Sequence, residues 1–155
     1  WTEIVTGCKG IAETLDICLP LLTHTITTEQ FLQYWFQNDA RLDKAVLADC
    51  LMLRKGGMSV FLASNQEHLR ARYIMKDLGV GEHVDGMIHS AGLGTRKPEI
   101  AFFDAAAAAT GFPADAIILV DDTVANIEGA RAAGWDARLW TGDTTLRGLL
   151  DPGKG

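Results

Sequence analysis

The spacing of apolar residues divides the chain into two parts with different patterns. In the first third, apolar side chains recur every three or four positions, as on one face of a helix. Ile11, Leu15, Cys18 and Leu19 form one such stripe, which stops at Pro20. This spacing predicts a helix over residues 11–19.

Two further helices are predicted before residue 58. Thr27 and Gln30 have the spacing of a capping box, so Thr27 is expected to be the N-cap of an aromatic-rich helix. Another helix is predicted from near Leu42 to Lys55, where Gly56 supplies a C-terminal stop signal. The first third therefore reads as helical throughout.

Beyond Met58 short apolar runs alternate with helical stretches. Strands are predicted at 59–63, 84–89, 117–120 and 137–140, and helices at 67–78, 98–110 and 123–133. Pro98 is placed in the first turn of its helix, where proline is common. Residues 142–155 are expected to form a loop or short helix followed by a frayed tail.

The alternation of strands and helices indicates βαβ units and a parallel sheet covered on both faces. The predicted fold is an α/β three-layer sandwich with a doubly wound, Rossmann-like sheet. Residues 1–57 have no alternating strands and are predicted to be a small helical cap, present here in part, or an insertion. Residues 58–155 are predicted to be the α/β core.

Composition and charge restrict the possible partners. Apolar residues make up 48% of the chain and charged residues 22%, as in soluble globular proteins. The net charge of -6 argues against nucleic acid and against anionic membranes, which both attract basic surfaces. Cys8, Cys18 and Cys50 have no paired spacing and are expected to be free thiols in the cytoplasm.

Polar residues that could do chemistry follow the predicted strands. Ligands of such sheets bind beyond the carboxyl ends of the strands, which share one edge. Ser64–Asn65, Ser90 and Asp121–Asp122 come directly after three of these strands, and Lys97 precedes a helix that leads back to the sheet. This convergence is the main indication of a functional site.

The acidic pair favours a metal site. Two adjacent carboxylates at the end of a buried strand repel each other, and a hard cation such as Mg²⁺ removes that cost. Asp121 and Asp122 are therefore predicted metal ligands. The alternative is that one of them only caps the helix that starts near Thr123.

Ser64, Asn65 and Lys97 allow two interpretations each. Ser64 and Asn65 could be an ordinary helix cap, or they could bind phosphate together with free N–H groups of the helix start. Pro98 forces the backbone of Lys97 into an extended conformation. The Lys97 side chain could then lie on the surface, or it could face a phosphoryl group.

Taken together and in order, these segments resemble three motifs of the haloacid dehalogenase-like (HAD-like) superfamily. The segments are Val60–Glu67 (VFLASNQE), Ser90–Glu99 (SAGLGTRKPE) and Ile118–Arg131 (ILVDDTVANIEGAR). The similarity extends from about Met58 to Trp140 and is greatest to the sugar-phosphate phosphatase branch. It implies magnesium-dependent hydrolysis of a small phosphorylated metabolite, such as a sugar phosphate, through an aspartyl-phosphate.

The resemblance also implies a role for each matching residue. Ser64 would hydrogen-bond the transferring phosphoryl group, with Asn65 beside it. Lys97 would pair with that group and with the nucleophile. Asp121 would be a metal ligand, and Asp122 a second ligand or the holder of a metal-bound water. Asn126 and Gly129 would be structural, and the small residues Ala125, Gly129 and Ala133 would let their helix pack close to the sheet.

The first motif of that superfamily, an Asp-x-Asp after the first strand, has no match before Met58. We therefore expect that the nucleophile and the first strand lie upstream of Trp1, and that residues 1–155 alone lack a stable fold. Two other functions stay open: a metal-independent haloacid dehalogenase, which the acidic pair disfavours, and a non-catalytic binding protein of the same fold. The substrate and the oligomeric state do not follow from the sequence.

Overall fold

The computed structural model describes residues 1–150, and the last part of the predicted tail lies outside them. Helices surround two pairs of parallel strands, which confirms the mixed α/β class. None of the helices within residues 1–150 is long and apolar enough to cross a membrane.

The first part of the chain is helical, as predicted. Its elements are α1 (Thr2–Val5), α2 (Ile11–Cys18), a 3₁₀ turn (Leu19–Leu21), α3 (Thr28–Asn38) and α4 (Lys44–Lys55). The capping box is confirmed, because Thr27 accepts from the Gln30 N–H while the Gln30 side chain accepts from the Thr27 N–H. Helix α4 begins later than predicted because Asp43 caps it, accepting from the N–H groups of Ala45 and Val46.

The strands form two separate parallel pairs. β1 (Phe61–Ser64) pairs with β2 (Gly86–His89), and β3 (Ile118–Asp121) pairs with β4 (Asp136–Leu139). No ladder joins the two pairs within residues 1–150. Each pair is in register to its last residue, so Ser64 lies beside His89 and Asp121 beside Leu139.

The second part contains five α-helices among the described residues. They are α5 (His68–Arg72), α6 (Ser90–Leu93), α7 (Ile100–Thr110), α8 (Val124–Ala132) and α9 (Leu146–Leu150). A π-helical turn (Tyr73–Asp77) continues α5, and 3₁₀ turns occupy Val80–Glu82 and Ala114–Ala116. The placement of Pro98 inside a helix is wrong: α7 starts two residues later, with Glu99 as its N-cap.

Three apolar clusters hold these elements together. The largest lies between α7, α8 and the strands, and Ala63 of β1 and Ile88 of β2 pack against it. Its buried members are Phe102, Phe103, Ala106, Leu119, Ile127, Ala130, Trp135 and Ala137. A second cluster joins Cys50 of α4 to Val80 and Val84, so α4 packs against the strand-bearing part. The third joins α1, α2 and α3.

Helix α8 packs on β3 and β4, as predicted, but its close approach at Gly129 is to other atoms. A Cβ atom at this position would lie 2.3 Å from the Pro98 carbonyl oxygen and 2.9 Å from a Phe103 ring carbon. The small residue therefore brings α8 against α7 and the segment that precedes it. This contact fixes the backbone next to Lys97.

Candidate active site at the carboxyl edge of the strands

A buried ion pair marks the carboxyl end of β3. Lys97 Nζ donates to Asp121 Oδ2 over 2.5 Å, and the two side chains are only 9% and 7% exposed. The interpretation of Lys97 as a surface lysine is therefore wrong. A buried pair of this kind is costly to desolvate, and each charge depends on the other.

Asp121 is also held by its own helix start. Its Oδ1 accepts from the Thr123 N–H and from Asn126 Nδ2, both over 2.9 Å. Burial raises the pKa of Asp121, but the hydrogen bonds from Lys97, Asn126 and Thr123, with the charge of Lys97, outweigh burial and leave the pKa below its ordinary value. The carboxylate is therefore ionised at neutral pH.

Asn65 holds the backbone of Lys97. Its Nδ2 donates to the Lys97 carbonyl oxygen over 2.9 Å, and its Oδ1 accepts from the Lys97 N–H over 2.8 Å. This two-point contact ties the end of β1 to the segment that supplies the lysine. The Asn65 amide is thus engaged with the backbone.

At the start of α5, the N–H groups of Leu69 and Arg70 are not free to bind phosphate. The helix begins at His68, and Glu67 is its N-cap. The buried Glu67 carboxylate accepts from the N–H groups of Leu69 and Arg70. These donors are occupied, and an acidic group lies where an anion would bind.

Ser64 and Asp122 lie at the same edge without joining this network. Ser64 is the last residue of β1 and is half-buried. Asp122 is exposed, and its carboxylate accepts only from the hydroxyl of Thr123, over 3.2 Å. The edge thus presents one buried carboxylate, one exposed carboxylate, a hydroxyl and a lysine.

Comparisons with known proteins identify the family. The family model for haloacid dehalogenase-like hydrolases matches residues 25–134. The chain belongs to this family. The match includes the Lys97–Asp121 pair, the Asn65 contact and helix α3.

Solved structures share the HAD-like fold. A HAD family enzyme of Bacteroides thetaiotaomicron, bt-2542, solved with magnesium and inorganic phosphate, has a TM-score of 0.81 at 18% identity and matches 96% of this chain and 78% of its own. A HAD-like family hydrolase of Porphyromonas gingivalis has a TM-score of 0.76 at 18% identity, with coverage of 96% and 75%. An uncharacterised protein of Corynebacterium glutamicum is 28% identical over 81% of each chain, with a TM-score of 0.53.

Two contacts of this HAD-like chain were missed by the sequence analysis. The fully buried Ser90 is the first residue of α6, and its hydroxyl donates to the Val5 carbonyl oxygen over 2.5 Å, which anchors α1. His68 and His89 form a pair with ring nitrogens 3.1 Å apart. Partners 85 and 21 residues apart in sequence leave no local signal.

Two concave surfaces of the described chain lie away from this edge. Two cavities of about 530 and 310 Å³ lie on the helical first part. They share Phe31, and their walls come from α1, α2, α3 and the residues beside them. Because titratable groups converge on the strand ends and not on these cavities, we place the candidate active site at the strand ends.

Proposed function

We propose that this HAD-like hydrolase is a magnesium-dependent phosphatase that acts on a small phosphomonoester, such as a sugar phosphate. The observation that carries the proposal is the buried Lys97–Asp121 pair at the end of β3. It combines a fixed cation with an ionised carboxylate at the edge where ligands of parallel sheets bind. A phosphoryl group needs positive charge held in place against its oxygens.

The residues present fit a magnesium ion in part. Asp121 is ionised, and Asp122 next to it has an exposed carboxylate. Mg²⁺ prefers such oxygens together with water and substrate phosphate. No group of three or more histidine, cysteine, aspartate or glutamate side chains is close enough to hold a metal within residues 1–150. Asp121 and Asp122 would therefore supply only part of the coordination. When bound, the ion would offset charge on the phosphoryl oxygens.

The protein's own side chains would have distinct tasks. Lys97 would neutralise the phosphoryl oxygens and the nucleophile, and Asn65 would keep the lysine backbone in position. Ser64 would donate a hydrogen bond to the phosphoryl group. Asn126 would orient Asp121. We therefore propose that Asn65 positions the Lys97 backbone and does not bind phosphate directly.

The nucleophile would come from a strand outside residues 1–155. β1 and β3 are not hydrogen-bonded to each other, yet β1 packs with Ala63 on the same apolar cluster that contains Leu119 of β3. A strand between them would pair with both and would end beside Ser64 and Asp121. An aspartate at its carboxyl end would attack phosphorus as the P–O bond to the alcohol breaks, the alcohol oxygen would take up a proton, and water would then hydrolyse the aspartyl-phosphate to inorganic phosphate.

Haloacid dehalogenase activity is the rival within the family. The full-length gene product should release phosphate from p-nitrophenyl phosphate or a hexose phosphate in the presence of Mg²⁺, and EDTA should stop the reaction. Asp121→Asn should abolish this activity, while Asp115→Asn, at an exposed position away from the edge, should retain it. If the protein instead released halide from a 2-haloacid, and EDTA did not slow that reaction, the proposal would be overturned.

A further inference from the structure

His68 and His89 form a side-chain cluster at the same edge. Neither residue has a part in the phosphatase reaction proposed for Ser64, Lys97 and Asp121. The rings meet edge to face at 84°, with centroids 5.2 Å apart and with His68 Nδ1 3.1 Å from His89 Nε2. The two nitrogens face each other between the rings, as in an N–H···N hydrogen bond. The pair is therefore one hydrogen-bonded unit.

The sheet register places this pair beside Ser64. His89 is the last residue of β2 and the register partner of Ser64, the last residue of β1. Partners across a parallel pair project to the same side of the sheet. The Asn65–Lys97–Asp121 contacts connect the end of β1 to β3, so the histidines lie one strand farther from the acidic pair than Ser64 does. They border the site beyond its phosphoryl-binding part.

His89 is fixed from a second direction. A Cβ atom on Gly92 would lie 3.0 Å from His89 Cε1, so the ring packs against the backbone of α6. Burial, and then the neighbouring His68, hold the pKa of His89 below its ordinary value of 6.5. Its ring is therefore neutral at pH 7, with one nitrogen that donates and one that accepts.

His68, in contrast, is exposed at the start of α5. Its Nδ1 is engaged with His89, and within the described chain its Nε2 has no hydrogen-bond partner. An accessible imidazole held by a fixed one is a polar group with a defined direction. Such a group favours ligands that carry a hydroxyl within its reach. A ligand without that hydroxyl leaves the imidazole without a hydrogen-bond partner and binds more weakly.

We propose that His68 is a specificity-determining residue that hydrogen-bonds a hydroxyl of the alcohol part of the substrate, and that His89 is the positioning residue that orients it. The proposal rests on the phosphatase function given above, and it narrows the substrates to hydroxyl-rich phosphomonoesters such as hexose phosphates. Ser64 and Lys97 would take the phosphoryl group, and the histidine pair would take the part that leaves.

Steady-state kinetics of the full-length gene product test the proposal. Glucose 1-phosphate, glucose 6-phosphate and fructose 6-phosphate offer hydroxyls, whereas p-nitrophenyl phosphate offers none. For the hexose phosphate that is cleaved best, His68→Ala should raise KM about tenfold with kcat nearly unchanged, since the lost contact is made equally in ground and transition states. KM for p-nitrophenyl phosphate should not change. His89→Phe, which keeps the ring but not the hydrogen bond, should change KM in the same way.

His24→Ala is the matched control, because His24 is also exposed but lies between α2 and α3. An unchanged hexose-phosphate KM in His68→Ala would overturn the proposal, and so would an equal rise for both substrate types. If the wild type cleaves no phosphomonoester, the phosphatase function fails by itself. The pair is then tested by histidine ¹⁵N resonances: His68 should shift with glucose 6-phosphate and not with inorganic phosphate, and no shift would overturn the assignment.

Discussion

At the scale of single residues, the site depends on opposite charges that are buried together. Lys97 and Asp121 are nearly inaccessible, and Asn65, Thr123 and Asn126 supply the remaining hydrogen bonds around them. A lysine that acted only on substrate could be removed without loss of stability. This one also compensates a buried carboxylate, so we expect its removal to affect both turnover and stability.

Lys97→Met should lower kcat of the full-length protein by orders of magnitude and lower the free energy of unfolding by about 1–3 kcal/mol, the cost of a buried polar group without its partner. The double variant Lys97→Met/Asp121→Asn should regain part of that stability, because neither charge remains, but no activity. Chemical denaturation and phosphate release measure the two effects, with the exposed Lys55→Met as control. A double variant less stable than the single one would contradict the pairing argument.

The positions of the candidate site residues could be predicted from the sequence more completely than their contacts. Ser64 and Asp121–Asp122 could be placed at one edge because their strands are local patterns and parallel strands end together. The amide contact from Asn65 to Lys97 spans 32 residues, so no periodicity reports it. The same holds for the histidine pair. Glu67 was missed because its neighbours Ser64 and Asn65 are commoner helix caps.

At the scale of elements, the position of Lys97 is set by the packing of α8 on the segment before α7. Gly129 permits this contact, since a Cβ atom there would overlap the Pro98 carbonyl group. The sequence predicted that Gly129 was structural but assigned its contact to the sheet. A stripe of small residues indicates close packing without indicating the partner.

Gly129→Ala should therefore destabilise the protein by about 1–3 kcal/mol, although alanine is the better helix former, because the overlap is with backbone atoms that cannot yield easily. Activity should fall as well, since residues 97 and 98 must move. Glu128→Ala, at an exposed position of the same helix, should change neither property. Thermal unfolding and kcat measure the effects, and a more stable Gly129→Ala variant would refute the close approach.

Asp85 joins the start of the β1–β2 pair to α4. Its carboxylate accepts from the Val60 N–H over 2.8 Å and from Arg54 Nε over 2.9 Å. The Val60 hydrogen bond, and then Arg54, lower the pKa of Asp85 from its ordinary 3.8. A lowered carboxylate pKa contributes stability above the unfolded-state value, and this stability disappears as the pH falls through the folded-state value.

Asp85→Asn should accordingly lower Tm at pH 7, and the difference from wild type should shrink below about pH 4 as the wild-type carboxylate becomes protonated. Thermal unfolding between pH 3 and pH 8 measures this dependence, and the exposed Asp115→Asn serves as control. A Tm difference that increases as the pH falls would contradict a stabilising role for the ionised Asp85 carboxylate.

At the scale of the whole molecule, the split between the two strand pairs is the main departure from a complete doubly wound sheet. β1 and β3 each have one edge without a ladder partner among the described residues, and a further strand could pair with the N–H and C=O groups there. The family resemblance implies that a first strand lies beside the strands that end at Ser64 and Asp121, and no ladder joins β1 to β3 within residues 1–150. The division into a cap (1–57) and a core (58–155) stays a prediction; Cys50 of α4 packs with the second part.

Residues 1–155 alone should not unfold in a cooperative, monomeric transition. Each buried unsatisfied group costs about 1–3 kcal/mol, and a whole domain is stable by only about 5–15 kcal/mol. Calorimetry of residues 1–155 and of the full-length product compares the two. A cooperative transition of the short form would refute the stability argument, and phosphate turnover by it would also refute an upstream nucleophile.

We propose that the edge formed by Ser64, Lys97, Asp121 and Asp122 holds a divalent cation and a phosphoryl group. A crystal structure of the full-length product with Mn²⁺ in place of Mg²⁺ and with inorganic phosphate tests it most directly. We expect an anomalous peak within coordination distance of the Asp121 or Asp122 carboxylate, with phosphate between Ser64 and Lys97 Nζ. A peak elsewhere, or phosphate bound away from Lys97, would contradict it.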